Sequence, residues 1–146
     1  MKFCTVQEYE DFMEMVPSFE QMLGHCGFTI VKYYLDVSKK EQRRRLKERS
    51  DDPLKQWKRS PVDAEAVRMW DEYSRARNEM LKRTDAPSAP WVIVKADDKQ
   101  AARLALMRDI AQRLSSGGNG KDCLPPDEAV LFPFTPEVLE AGGLAG

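Results

Sequence analysis

The chain has 146 residues, 42% of them apolar and 32% charged, with 23 basic side chains against 24 acidic ones. That length fits one ordinary domain, and the near-cancelling charge excludes a globally basic nucleic-acid binder and an acidic disordered chain. No run approaches the roughly 18 consecutive apolar residues of a membrane span; Cys4, Cys26 and Cys123 form no CxxC pair, which argues against a disulfide framework or a structural zinc site. The N-terminus shows no basic head followed by an apolar run, so the expectation is a cytoplasmic protein without membrane contact.

Thr5 and Glu8 have the spacing of a capping box, and the helix it opens carries Val6, Tyr9, Phe12, Met13 and Val16 on one face. Pro17 is expected to kink or restart it, and Phe19, Met22 and Leu23 continue the stripe until Gly24 and Gly27. Residues 28–37, rich in β-branched and aromatic side chains, read as a buried strand. Ser38 and Glu41 repeat the capping-box spacing and start a helix to about Arg49 whose only large apolar residue is Leu46. Asp52-Pro53 breaks it. Ser60-Pro61 starts the next helix, which runs to about Arg83 with Val62, Ala66, Trp70, Tyr73, Ala76 and Met80 at helical spacing. After a proline-rich connector, residues 91–95 read as a short strand. Asp97 or Asp98 then caps a helix to about Leu114, expected to bury Leu104, Met107, Ile110, Ala111 and Leu114. Residues 115–146 read as a flexible linker and an irregular tail, with one apolar run at 130–134 and one helical turn after Thr135-Pro136. Strand–helix alternation gives an α/β fold. Two visible strands leave a raw sheet edge, unless further strands come from another chain.

Charge is segregated. Residues 39–59 hold ten basic and four acidic side chains, a net of +6, which leaves −7 for the remainder. Such a run is ordinarily a solvated helix face laced with i,i+4 ion pairs. Here it follows the C-terminal end of a strand, where open α/β sheets bind ligands. The helix also has little to bury, and Trp57 offers a face for stacking among the cations. The composition suits a polyanion, and no helix-turn-helix, zinc-finger or RNP pattern points to nucleic acid.

Arg45-Leu46, Arg49, Asp52-Pro53-Leu54-Lys55, Trp57-Lys58, Ser60-Pro61, Asp63, Trp70, Tyr73, Ala76 and Met80 resemble the lid signature of the polyphosphate kinase type 2 family. Thr84, Ala89-Pro90-Trp91, Ala96-Asp97-Asp98-Lys99 and Ala102-Arg103-Leu104 resemble that family's last strand and helix, and Phe3-Cys4-Thr5 with Ser38 also fits. The resemblance covers about residues 3–114; Leu46, Arg59 and Ala105 depart from the usual pattern. It implies a three-layer α/β/α P-loop-kinase-like sandwich in residues 1–114, with a helical lid at about 39–83. It also implies phosphoryl transfer between inorganic polyphosphate and ADP, GDP or AMP with Mg²⁺. Arg49, Lys55 and Lys58 would contact phosphates, with Arg45, Arg68 and Arg75 as further contacts and Trp57 stacking the nucleotide.

No G-x-x-x-x-G-K phosphate loop occurs in the sequence, and Gly117 to Lys121 only imitates one. The expectation is therefore a C-terminal half that supplies the lid, with no metal ligands and no catalytic residue of its own, and that forms a homo-oligomer or complements a separate N-terminal half. The alternative is a non-catalytic relative that binds polyphosphate or serves assembly. Elsewhere, His25-Cys26 reads as a loop or satisfied core pair and Asp97-Asp98 as a helix cap. Trp70 and Tyr73 read as core, and Phe132 and Phe134 as packing onto the body or a partner.

Overall fold

A computed structural model describes residues 4–55, 57, 60–114 and 124–145. The elements run α1 (Val6–His25), β1 (Lys32–Asp36), α2 (Lys39–Asp51), α3 (Pro61–Arg68), α4 (Trp70–Thr84), β2 (Trp91–Lys95), α5 (Lys99–Leu114), β3 (Leu131–Pro133) and α6 (Pro136–Glu140). The fold is mixed α/β around a sheet of order β1-β2-β3. β1 and β2 are parallel, in register from Lys32 opposite Trp91 to Asp36 opposite Lys95. β3 runs antiparallel to β2, with Val92 opposite Pro133 and Val94 opposite Leu131.

The alternation of β2 decides the core. Val92 and Val94 face α5 and pack with Ala96, Ala102, Ala105 and Leu131. Ile93 points the other way, into Leu81 of α4 and Phe134 and Leu144 of the tail. Successive strand side chains alternate faces, so a five-residue strand buries both.

Several expectations change. The strand expected over 28–37 begins only at Lys32, because its partner β2 starts at Trp91 and offers the preceding residues no ladder. α1 runs unbroken through Pro17, tied down beyond it by an ion pair from Glu20 to Lys32 at 2.7 Å. Only Met13 of its expected stripe is buried, while Val6 and Phe12 are exposed. The single helix expected over 61–83 divides at Met69, whose φ of −98° and ψ of 32° leave the helical region. α5 is turned from the expected face. It buries Ala102, Ala105 and Asp109 and leaves Leu104, Met107, Ile110 and Leu114 in solvent. Small residues let a helix lie close against a sheet, and Asp109 tolerates burial because Tyr33 Oη and Arg113 Nε both donate to it. The tail supplies a strand, β3, and the buried Leu144 that were not expected, beside the expected helical turn, α6, and the expected packing of Phe134 onto the body. The 115–120 linker, the Gly117–Lys121 stretch and Cys123 lie outside the described residues.

Candidate functional site

The site begins where β1 and β2 end. Ser38 N-caps α2, its Oγ accepting from the Glu41 N–H at 3.2 Å. The reciprocal half of the expected capping box is absent; the Ser38 N–H instead donates to Asp97 Oδ1 at 2.7 Å, tying the start of α2 to the end of β2. Arg45 reinforces that tie. Its Nη2 donates to the carbonyls of Ala96 at 2.6 Å and Asp97 at 3.0 Å, and its Nε to Glu41 at 2.7 Å. α2 buries no residue at all, so these polar anchors, and not a core face, hold it over the strand ends.

Beneath α2 lies a cavity of about 730 Å³. Gln42, Arg45, Leu46 and Arg49 enter it from α2, Tyr34 and Leu35 from β1, and Trp70, Tyr73 and Arg77 from α4. Of the expected phosphate contacts, the structure brings Arg45 and Arg49 together here. Arg45 is 16% exposed, and Arg49, 38% exposed, reaches Asp63 Oδ2 at 3.5 Å. Asp63 also accepts from the Ser60 N–H and closes the capping box of α3. The other expected residues do not line this cavity. Lys55 pairs with Asp52 at 2.9 Å, Arg68 with Glu65 at 2.5 Å and Arg75 with Glu72 at 4.0 Å, each within its own segment. Trp57 is 79% exposed and its indole N–H donates to the Leu54 carbonyl. Lys58 lies outside the described residues.

Arg77 was not singled out by the sequence. Its side chain is 9% exposed, its Nη1 donates to the Ala145 carbonyl at 2.6 Å, and its guanidinium lies 5.8 Å from the centre of the Tyr34 ring. The signal was its spacing, since it falls four residues after Tyr73 on the row that also carries Trp70 and Met80. Asp36, the last residue of β1, was also missed. It is 3% exposed, accepts from Lys95 Nζ at 2.7 Å and from the Ala145 N–H, and sits 3.7 Å from Arg77 Nη1. Lys95 also donates to the Gly143 carbonyl. The tail thus closes over the strand ends on these polar contacts as well as on the apolar packing of Phe134 and Leu144.

Electrostatics around α2 are dominated by ion pairs. Hydrogen bonds from Arg44, and then from Arg45, hold the Glu41 carboxyl down to about 2. Lys55 is raised by its bond to Asp52, whose own carboxyl is lowered in return. Burial pushes Tyr34 up, against the opposing pull of Arg77. Of the Asp97-Asp98 pair only Asp98 acts as the cap reading expects, its Oδ1 accepting from the N–H groups of Gln100 and Ala101 in the first turn of α5, while Asp97 Oδ1 is taken by the Ser38 N–H. Among the described residues no three His, Cys, Asp or Glu side chains come together to hold a metal ion.

Residues 1–120 match the family described as Polyphosphate kinase 2 (PPK2). The chain belongs to the polyphosphate kinase 2 family. It is 46% identical over 114 residues to an ADP-polyphosphate phosphotransferase of Pseudomonas aeruginosa, an overlap of 78% of this chain and 38% of the relative. It is 50% identical over 107 residues to a GDP-polyphosphate phosphotransferase of Mycobacterium tuberculosis, covering 73% of this chain and 36% of that one. The crystal structure of polyphosphate kinase 2 from Arthrobacter aurescens superposes with a TM-score of 0.71 at 34% identity, over 94% of this chain and 47% of that chain. The chain therefore spans less than half the length of these polyphosphate kinase 2 relatives. Among the described residues no helix is long and apolar enough to cross a membrane.

Proposed function

We propose that this chain forms the cationic lid side of a site for phosphoryl transfer between inorganic polyphosphate and nucleoside mono- or diphosphates, within a P-loop-kinase-like α/β/α sandwich. The observation that carries the reading is the pair Arg45 and Arg49, both turned into one cavity at the strand ends from a helix that buries nothing. Membership of the polyphosphate kinase 2 family supports the substrate class. Phosphoryl transfer asks little covalent chemistry of a protein; positioning and charge stabilisation do most of the work. A guanidinium suits it, since its planar fork grips phosphate oxygens bidentately and stays protonated. In this reading Arg49 leaves its long contact with Asp63 to bind phosphate, and Arg45 fixes α2 at the mouth. Lys55 and Lys58, with Trp57 as a stacking face, join from the segment after α2. Arg68 and Arg75, each paired to a glutamate of its own helix, are outer contacts. A closed lid also excludes water that would otherwise take the transferring group. Mg²⁺ is implied by the resemblance; among the described residues no three His, Cys, Asp or Glu side chains cluster for it, and no step is assigned to it.

Arg49→Gln tests this. Its pair with Asp63 is long and partly exposed, so thermal stability should barely change. Calorimetric affinity for tripolyphosphate should fall about tenfold, the low end for a charged hydrogen bond because the site is not fully desolvated. Unchanged affinity would remove Arg49, and with it the cavity, from the phosphate site.

A further inference from the structure

α2 has two cationic faces, and only one is accounted for by the cavity. At 100° per residue, Gln42, Arg45 and Arg49 share the inward side, whereas Lys40, Arg43 and Lys47 fall together on the opposite one. All three of the latter are exposed, and among the described residues none makes an ion pair. Their neighbours differ: Arg44 is bound by Glu41 and Glu48, Arg45 by Glu41, and Lys39 reaches Asp71 at 3.8 Å while lying over the Trp70 ring. Like charges three and four residues apart destabilise a helix. α2 buries nothing that would offset this cost.

We infer that Lys40, Arg43 and Lys47 form a second polyanion subsite, which holds the part of a long polyphosphate chain lying outside the cavity. The inference rests on the reading of the cavity given above and extends it to chain length. The row covers about 10 Å of helix axis, and a helix about 10 Å thick separates it from the inward arginines. A ligand touching both faces must be long enough to pass around α2, so short polyphosphates engage the cavity alone. Polyphosphate fits the row better than nucleic acid does, since no aromatic side chain stands within it to stack a base.

The test compares long-chain polyphosphate with tripolyphosphate on three proteins: the full chain, the Lys40→Gln/Arg43→Gln/Lys47→Gln variant, and a Lys82→Gln/Lys99→Gln/Arg103→Gln variant with the same change in net charge. The first variant should lose about tenfold in affinity for the long chain, the sum of three modest exposed contacts, and nothing for tripolyphosphate. Its affinity for the long chain should also depend less steeply on salt. The control variant should match the parent on both ligands. Equal losses in the two variants, or none in the first, would overturn the subsite. So would a parent chain that binds a single-stranded oligonucleotide of matched charge better than polyphosphate, with that binding lost in the first variant. Failure of the cavity reading looks different: the parent then fails to bind tripolyphosphate, or binds it with no effect of Arg49→Gln.

Discussion

Tyr33 shows how one residue ties the first strand to the helix behind it. Its hydroxyl donates to Asp109, which Arg113 Nε also contacts at 2.6 Å, and Asp109 is almost wholly buried. Burial first, and then the bond to Asp109, push the Tyr33 hydroxyl up to about 12. A folded-state value above the unfolded one favours folding while the group stays protonated. That contribution is complete below about pH 10 and disappears as pH rises through about 12. Asp109→Ala should therefore bring the Tyr33 titration part of the way back toward about 10, burial still holding it up. Ultraviolet difference titration, with Tyr33→Phe to assign the signal, measures this. An unmoved titration would mean that burial alone sets it. The same substitution should cost about 1–3 kcal/mol in urea unfolding, since it leaves a hydroxyl without its acceptor.

At the scale of the element, α2 is held by its ends. Ser38→Ala removes the side-chain acceptor for the Glu41 N–H and should cost about 1 kcal/mol. Because no side chain of α2 is buried, its amide hydrogens should exchange faster than those of α5 in the parent chain, and faster still in the variant. Glu41, held down to about 2 by Arg44 and Arg45, contributes stability that is present above about pH 4.5 and is lost as pH falls toward about 2. Helix content followed by circular dichroism on acidification should accordingly fall in that window at α2, and Glu41→Gln should remove the effect. Local chemistry was legible in the sequence. Thr5–Glu8 closes as the expected capping box, Ser60 N-caps α3 ahead of Pro61, and β2 occupies the residues expected of it, whereas Ser38–Glu41 forms only half of its expected box. What needed distant partners was not legible. α5 offers apolar side chains on one side and alanines on another, and only the approach of β2 and β3 decides which is buried. The cationic run that carries Arg45 and Arg49 could be placed after a strand, but Arg77 and Asp36 are fixed by a tail more than sixty residues away.

For the molecule as a whole, apolar surface is the outstanding imbalance. Phe12, Met15, Phe19 and Met22 on α1 and Leu104, Met107 and Leu114 on α5 stand in solvent, and β1 lies at an edge of the sheet. Surfaces of this kind seek cover. The chain should self-associate at micromolar concentration in size exclusion with light scattering, and Met107→Glu with Leu114→Glu should shift it toward monomer. A monodisperse monomer at that concentration would contradict the expectation. The bond from the Ala145 N–H to Asp36 sets a different kind of constraint, one on the order of events. Asp36 leaves the ribosome more than a hundred residues before its partner does, and Lys95 waits almost fifty for Gly143. Until then Asp36 and Lys95 have each other but not the Ala145 N–H and the Gly143 carbonyl, and that side of the pair stays hydrated, because burying polar groups without all their partners is costly. The two parallel strands can pair early, but the mouth above them seals only when the segment holding Gly143 and Ala145 arrives. Folding of this region is thus a late, long-range closure, and its rate carries the entropy of bringing those distant residues together.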